Sequence, residues 1–256
     1  MSESAMSGGS VANTDVKNSP SQKLPARIPL DAAALVDDAQ AIIARYPAGR
    51  ERSALLPMLH LVQSVQGYVS ADGIGFCAQQ LNLTRAEVAA VATFYTMYKR
   101  RPTGQYLVSV CTNTLCGVLG GQRSYDELSK ELGVGHNETT ADGSITLEHA
   151  ECLAACDYAP VMTVNYEYFD HVDAEKAGEI VTQLRSGQQP HPDRGAPLCS
   201  FKQISRQLAG FDEFSGTEFS GTELSDTDEA SGDAAQEPTL AGNRRADSAS
   251  GAGGRA

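Results

Sequence analysis

The sequence predicts a mixed α/β protein, in which an N-terminal helical bundle precedes a small four-stranded α/β domain. Three observations support this fold class: helix-periodic apolar residues before residue 101, short apolar runs typical of strands after it, and Pro and Gly between the segments. The pattern changes at residues 102–104, which read Pro-Thr-Gly. We therefore expect a helical subdomain at residues 28–101 and an α/β domain at residues 102–187.

Four short helices are predicted in the first half, and each has a recognisable start or stop signal. The first covers residues 31–45, and the second covers residues 53–65 with a proline in its first turn, where proline is tolerated. Ser70 can cap a third helix. Thr84 and Glu87 have the T-x-x-E spacing of a capping box at the start of a fourth. Four consecutive short helices indicate a small bundle.

The second half alternates between strand-like and helix-like segments. Strands are predicted at residues 106–110, 145–147, 161–164 and 168–171. Ser124 with Glu127 opens a helix after the first strand, and Asp173 caps a last helix that runs to residue 184. The order β-α-β-β-β-α fits a thioredoxin-like arrangement. Pro160, just before the third strand, stands where such folds often carry a cis proline.

The two ends of the sequence lack the apolar content of a folded domain. Residues 1–27 are rich in Ser, Asn and Lys, and residues 215–256 are acidic with almost no aliphatic side chains. Such segments cannot bury enough apolar surface to offset the entropy lost on ordering, so we expect both to be disordered. Residues 188–214, between the last predicted helix and the acidic tail, are expected to form an extended segment.

Charge and hydropathy exclude several classes of function. The net charge of −12 argues against a nucleic-acid partner, because surfaces that bind phosphate backbones are basic. No apolar run approaches the roughly 20 residues that a membrane-spanning helix needs. The first residues also lack the charged and apolar regions of a signal peptide. We therefore expect a cytoplasmic protein without direct membrane insertion.

Four of the six cysteines form two close pairs. Cys111 and Cys116 make a C-x4-C motif, and Cys152 and Cys156 make a C-x3-C motif, each in a predicted loop after a strand. In a reducing compartment, such pairs indicate a metal centre more than disulfides. Structural zinc prefers C-x2-C spacing, whereas wider loops suit a binuclear iron–sulfur cluster with two thiolates on each iron. The spacing favours iron–sulfur, and it leaves zinc and a disulfide open.

The remaining reactive side chains have simpler interpretations. Cys77 lies among apolar residues of a predicted helix and is expected to be a core thiol, whereas Cys199 is expected to be a free thiol. His60 is expected to be structural, and His149 is not needed as a ligand because four cysteines are available. The basic run at residues 99–101 is interpreted as a solvated turn. The sequence contains no P-loop and no G-x-G-x-x-G after a strand, so it predicts no nucleotide site.

The sequence around the cysteines resembles a known family. The stretches VATFY at residues 91–95, VCTNTLCGVLGG at 110–121 and ECLAACDYAP at 151–160 are similar to the thioredoxin-like [2Fe–2S] subunit of respiratory complex I. That family comprises the 24-kDa subunit, also called the E subunit, of NADH:quinone oxidoreductase. The likeness extends from about residue 28 to residue 184. It implies one [2Fe–2S] cluster as cofactor, with four metal ligands: Cys111, Cys116, Cys152 and Cys156.

The resemblance also implies a role in electron transfer. The chain would be a subunit of an enzyme, a proton-translocating NADH:quinone oxidoreductase, with no complete active site of its own. It would exchange single electrons with the flavin of a larger partner subunit, which carries FMN and binds NADH. Together with other peripheral-arm subunits, the two would lie on the cytoplasmic face of the membrane.

Two alternatives use the same cysteines. The equivalent diaphorase subunit of an NAD-linked hydrogenase or formate dehydrogenase shares all of these motifs, and the genes beside this one would distinguish it. A zinc-stapled interaction module would use the four thiols without any redox role. Visible absorption of the purified protein separates the zinc module from the electron carrier.

Overall fold

The computed structural model describes residues 29–211. Both segments expected to be disordered, residues 1–27 and 215–256, lie outside the described residues. The four predicted helices of the first half are present. A short 3₁₀ turn at Ala33–Leu35 is followed by α1 (Val36–Ile43), α2 (Leu55–Gln66), α3 (Ala71–Gln80) and α4 (Arg85–Phe94).

Local signals set the ends of these helices. Gly67 has a φ of +75° and ends α2 in the left-handed region that favours glycine. The Ser70 hydroxyl accepts the N–H of Gly73 at the start of α3. Thr84 and Glu87 make both hydrogen bonds of the capping box at the start of α4. The caps predicted from the sequence are therefore confirmed.

The helical bundle has its own apolar core. Helices α1 to α4 bury one continuous cluster of side chains, and its largest fully enclosed members are Ile42, Met58, Leu59 and Leu61. Helix α3 packs closely on α2, because a Cβ on Gly73 would lie only 2.2 Å from a methyl of Val62. The bundle is thus a packed unit ahead of the sheet in the chain.

The second half is built on a five-stranded sheet. Its strands are β1 (Tyr106–Cys111), β2 (Glu138–Thr139), β3 (Ile145–Ala150), β4 (Met162–Val164) and β5 (Glu167–Phe169). They lie in the order β2-β3-β1-β4-β5. Strands β1 and β3 are parallel, and the other neighbouring strands are antiparallel. The predicted α/β class is confirmed, with the two-residue strand β2 added to the four predicted strands.

Four helices accompany the sheet: α5 (Thr114–Val118), α6 (Gly121–Leu132), α7 (Ala174–Arg185) and α8 (Phe201–Leu208). Leu128 of α6 and Val181 of α7 pack with inward side chains of β1 and β3 in a second core. Asp173 caps α7 by accepting the N–H of Lys176, as predicted. Within residues 29–211, no helix is long and apolar enough to cross a membrane.

Helix α6 begins earlier than the sequence predicts. Ser124, the predicted cap, lies inside the helix, where its hydroxyl donates to the carbonyl oxygens of Gly120 at 3.3 Å and Val172 at 3.4 Å. Gly120 has a φ of +108° and turns the chain directly from α5 into α6. A glycine turn thus starts this helix, and no side-chain cap is made at that end.

The segment at residues 188–214 is not wholly extended, contrary to the prediction. Ser200 and Gln203 form a second capping box, which starts α8. Phe201 and Ile204 of α8 are buried against Leu107 of β1, and α8 also packs along α2. The apolar face of this helix is what the extended prediction missed, and through it α8 joins the bundle to the sheet.

Candidate metal centre

The two cysteine pairs lie at one edge of the sheet. Strands β1 and β3 are parallel neighbours, so they end at the same edge. Cys111, the last residue of β1, is in register with Ala150, the last residue of β3, and Cys152 follows two residues later. The sheet therefore brings one cysteine of each pair to the same region.

The first pair is enclosed by a tight turn of the chain. Cys111 and Cys116 are both 2% exposed. Cys116 lies in the short helix α5 instead of the predicted loop, because the Asn113 side chain accepts the N–H of Thr114 and caps that helix. A Cβ on Gly121 would lie 2.3 Å from the carbonyl oxygen of Cys111. Glycine at this position is what lets the chain fold back against the pair.

The second pair is more open to solvent. Cys152 and Cys156 are exposed, and their sulfur atoms are 3.7 Å apart. Ala154, between them, has a φ of +59° and directs its N–H at the Cys152 sulfur, 3.4 Å away. The loop ends at a cis peptide bond between Ala159 and Pro160. This loop therefore holds the two thiols next to each other, with a backbone N–H donor beside them.

The two pairs are close enough for their thiols to affect one another's protonation. Burial and a hydrogen bond with Cys111 raise the pKa of Cys116 to about 11, and Cys156 adds to the rise. The pKa of Cys156 is raised chiefly by its hydrogen bond with Cys152, and Cys111 contributes as well. Cys111 and Cys116 also pack in one apolar cluster with Leu153 and Ala155 of the second loop, so the fold brings the two pairs together.

The sulfur spacing of the second pair fits two ligands of one metal atom. Two thiolates on one tetrahedral metal, with bonds of about 2.3 Å, lie about 3.8 Å apart, close to the 3.7 Å between the Cys152 and Cys156 sulfurs. Adjacent thiol pairs, one for each iron, match the Cys₄ ligand set of a [2Fe–2S] cluster.

Side chains outside the pairs tie the two loops together. The Asn113 amide donates to the Glu151 carboxylate at 2.6 Å, which links the first loop to the residue before Cys152. The Thr112 hydroxyl contacts Nε2 of His149, so this ring nitrogen has a partner other than a thiol. Sequence reasoning missed both links, because each joins residues more than 35 positions apart.

Three other candidate residues lie in different environments. Cys77 is fully buried in the bundle, where desolvation raises its pKa to about 12. Cys199 is half-buried beside α8, and desolvation raises its pKa also. Burial lowers the pKa of His60 to about 4. Cys77 and Cys199 pack in clusters that do not contain Cys111 and Cys116. His60 lies on α2 with its ring against Tyr98.

Lys99 does not belong to a solvated turn, contrary to the prediction. Its buried ammonium pairs with Glu148 at 2.7 Å, and that carboxylate also accepts the Ser109 hydroxyl at 2.8 Å. The pair lines a cleft of about 790 Å³ between the residues that follow α4 and the sheet. Arg100 and Arg101 are exposed, as predicted. The prediction failed at Lys99 because its partner is 49 positions away.

The family model of the thioredoxin-like [2Fe–2S] ferredoxin matches residues 39–185, a span that contains all four paired cysteines. The chain belongs to this family. Membership of the thioredoxin-like [2Fe–2S] ferredoxin family confirms the predicted fold class and supports an iron–sulfur cluster as the cofactor.

Similar proteins are named as the E subunit of NADH-quinone oxidoreductase, the component that the cysteine motifs resemble. The E subunit of NADH-quinone oxidoreductase from Mycobacterium tuberculosis is 58% identical over 190 residues, which cover 74% of this chain and 75% of that one. The protein of the same name from Rickettsia prowazekii is 37% identical over 146 residues, which cover 57% and 82%. The resemblance to this component of the oxidoreductase is confirmed.

A solved structure, that of an NAD⁺-reducing [NiFe]-hydrogenase in the H₂-reduced state, aligns with a TM-score of 0.46. The sequence identity is 20%, over 52% of this chain and 22% of that one.

Proposed function

We propose that this member of the thioredoxin-like [2Fe–2S] ferredoxin family is the electron-transfer subunit of a proton-translocating NADH:quinone oxidoreductase. The observation on which the proposal depends is the meeting of two thiol pairs at one edge of the sheet, with the sulfurs of one pair 3.7 Å apart. The 58% identity to the mycobacterial E subunit supports assignment to that complex.

One [2Fe–2S] cluster is proposed to be held by four thiolates: Cys111, Cys116, Cys152 and Cys156. When bound, such a cluster accepts and returns one electron at a time. The chain fixes the thiolates through the ends of β1 and β3. Backbone N–H groups of Ala154 and Val161 are directed at the sulfurs of Cys152 and Cys116. These donors stabilise added negative charge and so favour the reduced state.

The surface beside the thiols supports an electron donor in another subunit. Apolar side chains of α5 and its C-terminal end, next to Cys116, are exposed to solvent: Leu115 by 43%, Val118 by 80% and Leu119 by 52%. Contiguous exposed apolar groups indicate a protein contact. The proposed partner is a larger subunit that binds FMN and NADH, because a one-electron centre needs a nearby donor that divides the hydride electron pair.

The position within the cell follows from this assignment. As a subunit of a membrane-bound complex without a membrane-spanning helix in residues 29–211, the chain is proposed to lie in the peripheral arm. That arm is proposed to lie on the cytoplasmic face, where it meets NADH together with the other peripheral subunits.

Electron paramagnetic resonance tests the cofactor directly. The full chain, reconstituted with iron and sulfide and reduced with dithionite, is expected to show the signal of one [2Fe–2S] cluster. The same measurement after addition of the flavoprotein partner and NADH tests electron exchange. A colourless sample without a signal that contains one zinc per chain would establish the zinc module and overturn the proposal.

A further inference from the structure

Arg194 contacts both sides of the loop that carries Cys152 and Cys156. Its guanidinium carbon lies 4.7 Å from the centre of the Tyr158 ring and 4.8 Å from that of Tyr168. Tyr158 belongs to the 3₁₀ turn that begins at Cys156. The Tyr168 hydroxyl donates to the carbonyl oxygen of Leu153, beside Cys152, at 2.9 Å.

The position of Arg194 is itself fixed by the sheet and by an ion pair. Its Nη2 donates to Asp170 at 2.6 Å, and that carboxyl group is 9% exposed. The backbone of Arg194 forms a β-bridge with Tyr168 of β5. The Nε atom is buried and has no hydrogen-bond partner among the described residues. An arginine so placed contacts aromatic rings through its planar face, which lysine lacks.

We propose that Arg194 is a positioning residue for the second cysteine pair, and that it holds the loop at residues 152–158 in its ligand-ready shape by bridging Tyr158 and Tyr168. The segment after α7 therefore contributes to the metal centre without supplying a ligand. The claim that this loop binds an iron–sulfur cluster depends on the proposed function. The claim that Arg194 orders the loop does not depend on it.

Hydrogen–deuterium exchange on the cluster-free full chain tests the ordering. The Arg194→Lys change keeps the charge opposite Asp170 but removes the planar group. It is expected to accelerate exchange at the Ala154, Tyr158 and Ala159 amides about fivefold, the effect of weakening two ring contacts. Tyr158→Leu removes one ring without touching the ion pair, and is expected to act in the same direction.

Two matched controls separate this effect from general destabilisation. Arg185, the last residue of α7, makes an exposed ion pair with Asp142. Arg185→Lys alters this pair and is expected to leave loop exchange unchanged. Tyr158→Phe keeps the ring and is expected to match the parent chain. Unchanged loop exchange in both Arg194→Lys and Tyr158→Leu would overturn the proposal, as would equal acceleration in Arg185→Lys.

The reconstituted chain gives a second readout. Arg194→Lys is expected to lose its cluster faster to a chelator and to show shifted g-values in the reduced state, whereas Tyr158→Phe retains the parent spectrum. Parent g-values and parent loss rate in Arg194→Lys would contradict the positioning role. If the parent chain itself forms no cluster, the proposed function fails, and the exchange experiment still decides whether Arg194 orders the loop.

Discussion

The four paired thiols differ in exposure although they are close together. Cys111 and Cys116 are buried, and Cys152 and Cys156 face solvent. A cluster bound here would thus have one iron inside the fold and one near the surface. The outer pair depends on its loop for shape, because it has less surrounding packing. Substitutions near Cys152 and Cys156 are therefore expected to disturb the metal centre more than substitutions near Cys111 and Cys116.

Replacing Cys152 by Ala is expected to abolish the [2Fe–2S] signal, because one iron loses a thiolate. The variant chain should also unfold at a lower denaturant concentration, since ligation and folding are coupled. Electron paramagnetic resonance and urea unfolding measure the two effects. Cys199→Ser and Cys77→Ser are the controls, and a bleached Cys199→Ser protein would show that the ligand set is wrong.

Glu151 combines a structural link with a negative charge beside the centre. Its carboxylate accepts the Asn113 amide at 2.6 Å. Glu151→Gln removes the charge, so adding an electron nearby becomes less costly, and the midpoint potential is expected to rise on the order of tens of mV. A redox titration followed by electron paramagnetic resonance measures this. Glu175→Gln on α7 is the matched surface control, and an equal shift there would contradict the local effect.

At the scale of elements, capping signals and apolar periodicity predict well, and contacts between distant segments do not. The Ser70 and Thr84 caps could be read because each signal spans three residues. The Lys99–Glu148 pair could not, since no local pattern records a partner across the fold. The two cysteine pairs are visible in the sequence as close spacings. The Asn113–Glu151 link between their loops is not, because it joins residues 38 positions apart.

Helix α5 is the element through which we expect the partner to be recognised. Val118 is its most exposed apolar side chain, at 80%. Val118→Glu should weaken binding of the flavoprotein subunit about tenfold, because a charge would be buried in the contact. The cluster signal should not change. Leu56→Glu, at an exposed position of α2, is the control in the same binding titration, and equal losses in both variants would argue against α5 as the contact.

Helix α2 contains a buried histidine that makes stability depend on pH. Desolvation lowers the pKa of His60 to about 4, from an ordinary value of 6.5. Between these values the unfolded chain binds the proton and the folded chain does not, so stability falls as pH decreases from 6.5 to 4. The loss amounts to at most about 3 kcal/mol.

His60→Leu is expected to flatten this dependence, because the buried group no longer titrates. Urea unfolding at several pH values between 4 and 7 measures the slope. His191→Leu, at an exposed histidine, is expected to retain the slope of the parent chain. A slope equally steep in His60→Leu would show that other groups cause the loss.

At the scale of the whole molecule, α8 connects elements that are far apart in sequence. Its Phe201 and Ile204 pack on Leu107 of the sheet. Arg206 pairs with Asp38 of α1. The helix therefore contributes to both halves at once, and the bundle and the sheet are expected to unfold together because of it.

A chain that ends after Ser200 lacks α8 but keeps Arg194 and all four paired thiols. It is expected to lose stability strongly and to show separate unfolding transitions, since Phe201 alone should contribute about 3–5 kcal/mol by comparison with alanine.

A chain that ends after Asp212 keeps every contact described for α8, and should unfold like the full chain and retain its cluster and partner. Urea unfolding followed by tyrosine fluorescence and by cluster absorbance tests both. Phe201→Ala is the milder variant, and equal stability of the two shortened chains would show that α8 does not join the halves.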